Sequence, residues 1–150
     1  MQLKDYLPPE NIIPDLKSEK KISIIEEMLE RMNQLNLIKD YETALNDTLS
    51  RESYLSTGLE NGLAIPHAKS DAIDRLAMVF GRSRSGVDFQ SLDSKPTYLI
   101  FLVLSPKDVS GPHIQALAVI SRNIKDAAVR EKLRNAESAE DIADIIKEFK

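Results

Sequence analysis

The sequence predicts an α/β domain whose central sheet is mixed, part parallel and part antiparallel, with helices on both faces. Three observations carry this. Helical hydrophobic spacing fills the two ends of the chain and β-rich runs fill the middle. The runs between residues 77 and 104 are joined by short turns, which makes part of the sheet antiparallel. One run, Thr97 to Leu104, is apolar at successive positions, as a strand covered on both sides must be. With 150 residues, the chain suffices for one domain, 1–150, that buries most of its apolar surface.

The elements follow in order. Three prolines within residues 1–15 flank Asn11-Ile12-Ile13 and predict a short edge strand or extended arm. Ser18 is the expected N-cap of a first helix, with Ile22, Ile25, Met28, Leu29 and Met32 at helical spacing. Asp40 is the expected N-cap of a second. Its apolar stripe is Tyr41, Ala44, Leu45 and Leu49, and it ends near Ser50-Arg51-Glu52. Gly58 and Gly62 bracket a loop. Leu63 to Pro66 is a short strand that Pro66 stops, so His67 stands at its end. Ala77 to Arg82 is a strand in which Gly81 marks a bulge or a close approach. Ser83 to Asp88 reads as a turn, and so does Asp93 to Pro96.

Ser105-Pro106 ends the central strand. Gly111 as N-cap and Pro112 in the first turn open a third helix with Ile114, Leu117, Ala118 and Ile124 as its buried stripe. Ala127 to Arg134 is a fourth helix. Ser138 opens the last one with a variant capping box, and Ile142, Ile145, Ile146 and Phe149 follow at i, i+3, i+4 and i+7.

Composition removes several classes of function. The net charge of −4 lacks the basic excess of a nucleic-acid binder. There is no cysteine, hence no disulfide framework and no thiolate metal site, and two histidines alone make a weak metal site. The longest apolar run, Leu99 to Leu104, is far short of a membrane span, and the N-terminus does not read as a signal peptide, so the expected location is cytoplasmic. No nucleotide P-loop, His-Glu-x-x-His or Gly-x-Ser-x-Gly is present. No cofactor, no metal and no direct membrane insertion are expected.

Three residues remain as carriers of chemistry. His67 is an imidazole placed by a strand end, and histidine is the default acid, base or nucleophile near neutral pH. His113 lies in the first turn of a helix, where free N–H groups and the positive dipole end favour an anion. Arg51 stands at a helix end near the loop that leads to His67. Each alone also fits a plain structural role: a loop histidine, a core-packed histidine, a surface ion pair. Together they match the needs of a phosphoryl group. These are an attacking neutral nitrogen, a bidentate guanidinium and a second hydrogen-bond donor. Gly58 and Gly62 would let backbone approach the phosphate.

The stretch Ser56-Thr57-Gly58, then Asn61-Gly62-Leu63-Ala64-Ile65-Pro66-His67, resembles the signature of a known family. It is that of the enzyme IIA domains of the bacterial phosphoenolpyruvate-dependent phosphotransferase system. The type is the fructose/mannitol one, which includes the nitrogen-regulatory IIA proteins. Gly86-Val87-Asp88-Phe89, Ser91-Leu92-Asp93, Pro96 and the strand to Ser105-Pro106 resemble the family's middle section. His113-Ile114-Gln115-Ala116-Leu117 resembles its second-histidine helix, and Arg130 to Ile146 its C-terminal helices. The resemblance implies a mixed sheet flanked by helices. It implies that His67 takes phosphate on Nε2 from the carrier protein HPr or a paralogue, that Arg51 neutralises the phosphate and that His113 hydrogen-bonds it. The acceptor would be a IIB sugar-transport component or, for a nitrogen-type protein, a regulatory target whose binding depends on phosphorylation. Glu60 and Ala68 depart from the family pattern, which often has Gly at both places, and Glu60 adds a negative charge near the loop.

Overall fold

A computed structural model describes residues 1–150. Ten elements follow two short 3-10 turns: β1 (Ile12–Ile13), α1 (Lys21–Gln34), α2 (Tyr41–Tyr54), β2 (Leu63–Ala64), β3 (His67–Lys69), β4 (Ala77–Val87), β5 (Thr97–Ser105), α3 (Gly111–Ile124), α4 (Ala127–Asn135) and α5 (Ala139–Lys147). The sheet is mixed and runs β1-β4-β5-β2, with β3 also on β5. Only β4 and β5 are antiparallel; β1 on β4, and β2 and β3 on β5, are parallel.

The central strand alternates as a doubly covered strand should. Leu99, Phe101 and Val103 join a core with Ile120, Leu133, Ile142 and Ile146 from α3, α4 and α5. Ile100, Leu102 and Leu104 face the opposite way, into a core with Ile24, Ile25, Met28, Leu29 and Ala44 from α1 and α2. Each fully buried side chain of this kind contributes about 1.5–3 kcal/mol. The helices therefore cover both faces.

Several local expectations are corrected. Helix α1 is preceded by Lys20, not capped by Ser18. Glu27 reaches back from the helix and accepts the N–H groups of Lys17 and Ser18, so that segment stays extended. Ile22 is 57% exposed, because the register that buries Ile24, Ile25 and Met28 turns it outward. Asp40 does cap α2, accepting from the Thr43 N–H. Residues 83–87 form no turn; β4 continues through them with a bulge between Arg82 and Val87, where Gly86 has φ +86°. The Ser83 hydroxyl accepts the Gly86 N–H inside that bulge. Gly81 is not bulged but closely approached, since a Cβ there would lie 2.9 Å from Leu16.

His67 begins β3 instead of following a strand. Pro66 only interrupts a broken strand whose two pieces both pair with β5. Ser110, not Gly111, precedes α3. The buried face of α3 is His113, Ala116, Val119, Ile120 and Ile124; Ile114 and Ala118 face solvent and Leu117 is half-buried. The i, i+3, i+4 pattern fits two adjacent faces of that helix, and the buried one includes the polar His113. Ser138 caps α5 as expected, accepting from the Asp141 N–H, while Phe149 lies beyond its end.

Candidate functional site

The site gathers at the C-terminal end of β5. His67 pairs with Val103 through β3, and the Pro66 carbonyl accepts the Val103 N–H at 3.0 Å. Ser105 closes β5, and eight residues later His113 returns from the first turn of α3. The two imidazoles meet edge to face, with ring centroids 5.4 Å apart.

The hydrogen bonds set the tautomer of His67. Its Nδ1 lies 2.7 Å from the Ile65 carbonyl oxygen. A carbonyl only accepts, so Nδ1 carries the hydrogen and Nε2 of the neutral ring holds a free lone pair. Burial lowers the pKa of His67, the Arg51 charge lowers it further, and the Ile65 carbonyl opposes both. The ring is therefore neutral at physiological pH, with the Nε2 lone pair free of any protein partner.

His113 is 6% exposed, and its Nδ1 lies 2.6 Å from the Ser105 Oγ. Burial, then the charges of His67 and Lys69, push its pKa down to about 4. When the serine hydroxyl donates to Nδ1, Nε2–H becomes the donor on the far side of the ring. The Lys69 ammonium donates to the Ser110 hydroxyl at 2.8 Å and ties β3 to the start of α3.

Arg51 lies in the last turn of α2. One guanidinium nitrogen donates to the Leu55 carbonyl at 3.0 Å, which leaves its other donors without a protein partner. Next to it, buried Glu52 forms a clasp. Its carboxylate accepts the Thr57 N–H at 2.6 Å and the Thr57 hydroxyl, and it pairs with Lys21 at 3.3 Å. Lys21 also donates to the Ser56 hydroxyl and lies 5.1 Å over the Phe89 ring. The clasp fixes the chain between Arg51 and the site strand.

Of the three residues singled out in the sequence, His67 and His113 meet at 5.4 Å and Arg51 is close enough for its charge to act on His67; three neighbouring residues escaped the sequence. Ser105, Glu52 and Lys21 look unremarkable until their neighbours are known. One signal existed: Ser105 is the polar end of a run otherwise apolar on both faces. The loop glycines also have packing roles. A Cβ on Gly58 would lie 2.7 Å from the Phe89 carbonyl oxygen, so Gly58 seats the loop on residues 89–91. Asn61 (φ +63°) and Gly62 (φ +73°) form the tip of a small hairpin that docks on Tyr98 and Leu99. That tip is four positions up β5 from the His67 partner, roughly 13 Å at strand rise. Glu60 is exposed on this tip, so its charge does not crowd the imidazole.

Protonation links the pair to stability. Above pH 6.5, the ordinary value for His113, folded and unfolded chains both hold it neutral and its contribution is complete. As pH falls below that value, the unfolded chain takes up a proton that the folded chain refuses until about 4. The loss reaches at most about 3 kcal/mol. Urea unfolding at pH 7, 5.5 and 4 should show the wild-type midpoint falling more steeply than that of His113→Gln; equal slopes would remove His113 from the linkage.

A family model described as "Phosphoenolpyruvate-dependent sugar phosphotransferase system, EIIA 2" matches residues 5–149. The chain is 38% identical over 128 residues to a fructose-specific EIIA component of Haloferax volcanii, covering 85% of this chain and 83% of that protein. It is 31% identical over 146 residues to a nitrogen regulatory protein of Bradyrhizobium diazoefficiens, covering 97% of this chain and 95% of the relative. It is also 34% identical over 146 residues to a fructose-specific EIIABC component of Bacillus subtilis; that match covers 97% of this chain and only 23% of the longer protein. Among solved structures, the nitrogen regulatory IIA protein of Neisseria meningitidis superposes with a TM-score of 0.89 at 28% identity, over 96% of this chain and 98% of the other.

Proposed function

The chain belongs to the EIIA 2 family of the phosphoenolpyruvate-dependent sugar phosphotransferase system, and from that premise we propose that it carries phosphate as a phosphohistidine on Nε2 of His67. The observation that carries this reading is the Nδ1–H bond to the Ile65 carbonyl, which leaves Nε2 as the only free nitrogen of a neutral ring. In the step itself, the Nε2 lone pair attacks the phosphorus of a donor phosphohistidine, the donor P–N bond breaks, and the donor imidazole leaves with that electron pair. His67 keeps its Nδ1 hydrogen and becomes cationic, and the carbonyl at 2.7 Å steadies that charge. Arg51 supplies free guanidinium donors to the phosphoryl oxygens, and the Nε2–H of His113 supplies one more.

The donor is HPr or a close paralogue. Exposed Tyr54, Leu55 and Ile114 stand beside Arg51 and His113 in sequence and give such a partner apolar contact. The acceptor is a IIB component, in keeping with the Bacillus relative whose name joins A, B and C components. A regulatory role is the second reading, favoured by the near full-length match to nitrogen regulatory proteins.

The test is incubation with phosphoenolpyruvate, enzyme I and HPr, then mapping of the label. An acid-labile phosphate on His67 is expected, and a label on any other residue would overturn the assignment. Arg51→Gln and Ser105→Ala should each slow transfer, Arg51→Gln by about a hundredfold. For Ser105→Ala, nitrogen NMR of His113 should also show the tautomer mixture shift. Unchanged rates in both variants would remove the assisting roles.

A further inference from the structure

A cavity of about 730 Å³ lies away from both histidines. It opens between the Asn61-Gly62 tip, the start of β5, the bulge of β4 and helix α4. Tyr98 lines it and is five positions from Val103, the strand partner of His67, which is roughly 16 Å at strand rise. Its size falls within the range of small-molecule sites.

The lining is charged and mostly uncommitted. Arg84, Lys95, Arg130 and Arg134 face Asp93 and Glu131, a local excess of cations in a chain of net charge −4. Arg84 is held by Asp15, and Arg130 donates to the Ile124 and Lys125 carbonyls. Lys95 and Arg134 are different, because neither side chain has an ion pair or a hydrogen bond within the protein. Arg134 is nevertheless held in place, its guanidinium carbon 3.6 Å from the centre of the Tyr98 ring. The ring is fixed in turn: a Cβ on Gly86 would lie 2.9 Å from it and one on Gly62 3.2 Å. A stacked guanidinium keeps all five N–H donors in one plane and loses little freedom when it takes a bidentate anion.

We propose that this cavity binds a small phosphorylated sugar or polyol, with the phosphate on Arg134 and Lys95 and the hydroxyls on Glu131 and Asn135. The mixed lining selects this class. Glu131, with no ion pair of its own, repels a bare polyanion but accepts from hydroxyl groups. A nucleotide fits less well, because Arg134 already occupies a face of the one aromatic ring in the lining and no platform is left for a base. The ligand does not compete with chemistry at His67, since the two sites are separated along β5.

The test uses the unphosphorylated protein, so its outcome is independent of the phosphohistidine reading. Glucose 6-phosphate, glucose and inorganic phosphate are titrated separately at about 150 mM salt, where exposed charges are screened, and amide signals are followed by NMR. Glucose 6-phosphate should move the signals of Asn61, Lys95 and Arg134 saturably, at least about tenfold tighter than either glucose or phosphate alone. Arg134→Gln and Lys95→Gln, singly and together, should abolish the response while the protein stays folded, with Lys95→Gln leaving the unfolding midpoint unchanged. Three results would overturn the proposal: no saturable shift, inorganic phosphate binding as tightly as the sugar phosphate, or an undiminished response in the double variant.

Discussion

If His67 is the phosphate acceptor proposed above, a His67→Gln protein should fold like the wild type and take up no phosphate from phospho-HPr. The fold should survive because the His67 side chain is half-buried and bonds only to the Ile65 carbonyl, to which a glutamine amide N–H can also donate. The chemistry should not survive, because an amide nitrogen has no lone pair to attack phosphorus. The fall in phosphoryl uptake is at least about a thousandfold, the scale on which loss of a nucleophile acts. His113 does not substitute for it. That ring is 6% exposed and its Nδ1 is engaged by Ser105. Quenched-flow labelling from phosphoenolpyruvate measures the effect, with an unfolding curve as control. Residual labelling at even a tenth of the wild-type rate would move the acceptor elsewhere.

Arg82→Met should cost about 3 kcal/mol of stability, equivalent to roughly 10 °C in unfolding temperature for a chain of this size. Arg82 is 1% exposed and buried in a sheet, an unusual place for a cation. Its guanidinium donates to the Leu133 carbonyl at 3.0 Å, the Arg134 carbonyl at 3.3 Å and the Ala136 carbonyl. These are the unpaired carbonyls at the C-terminal end of α4, where the helix dipole also favours positive charge. Its Nε donates to the Pro14 carbonyl at 2.9 Å, so one side chain joins β4, α4 and the N-terminal arm. Methionine fills similar space but leaves four carbonyls without this donor. Two features temper the loss. Nη2 makes no hydrogen bond, and its nearest carboxylate, Asp15, is 3.9 Å away. Urea denaturation decides the matter, and a loss below about 1 kcal/mol would mean that water replaces the guanidinium at those carbonyls.

Much of this molecule was legible in its sequence because hydrophobic period and chemistry agreed there. Leu99 to Leu104 admitted one interpretation, and both cores are built on it. Asp40 and Ser138 capped their helices as local chemistry requires. Failures came where a local signal had two physical meanings. Ser and Gly at 83–86 serve a bulge as well as a turn, and only pairing with β5 decides between them. Ile114 and His113 competed for the inside of α3, and the partner that settled it, Ser105, is distant until the fold forms. The site divides likewise. His67, His113 and Arg51 announce themselves by residue type, whereas Glu52, Lys21 and Ser105 acquire meaning only from what they touch.

The broken strand around Pro66 has a consequence for signalling. Both pieces, and the Pro66 carbonyl between them, are bonded to the most enclosed strand of the sheet, so the backbone under His67 is anchored on either side of the imidazole. A phosphate on Nε2 would alter the side chain without room to reshape the main chain beneath it. The free and phosphorylated forms would then share one backbone, and any partner that tells them apart would have to sense about two added negative charges at the surface. Such a reader responds to ionic strength, and its discrimination fades as salt rises.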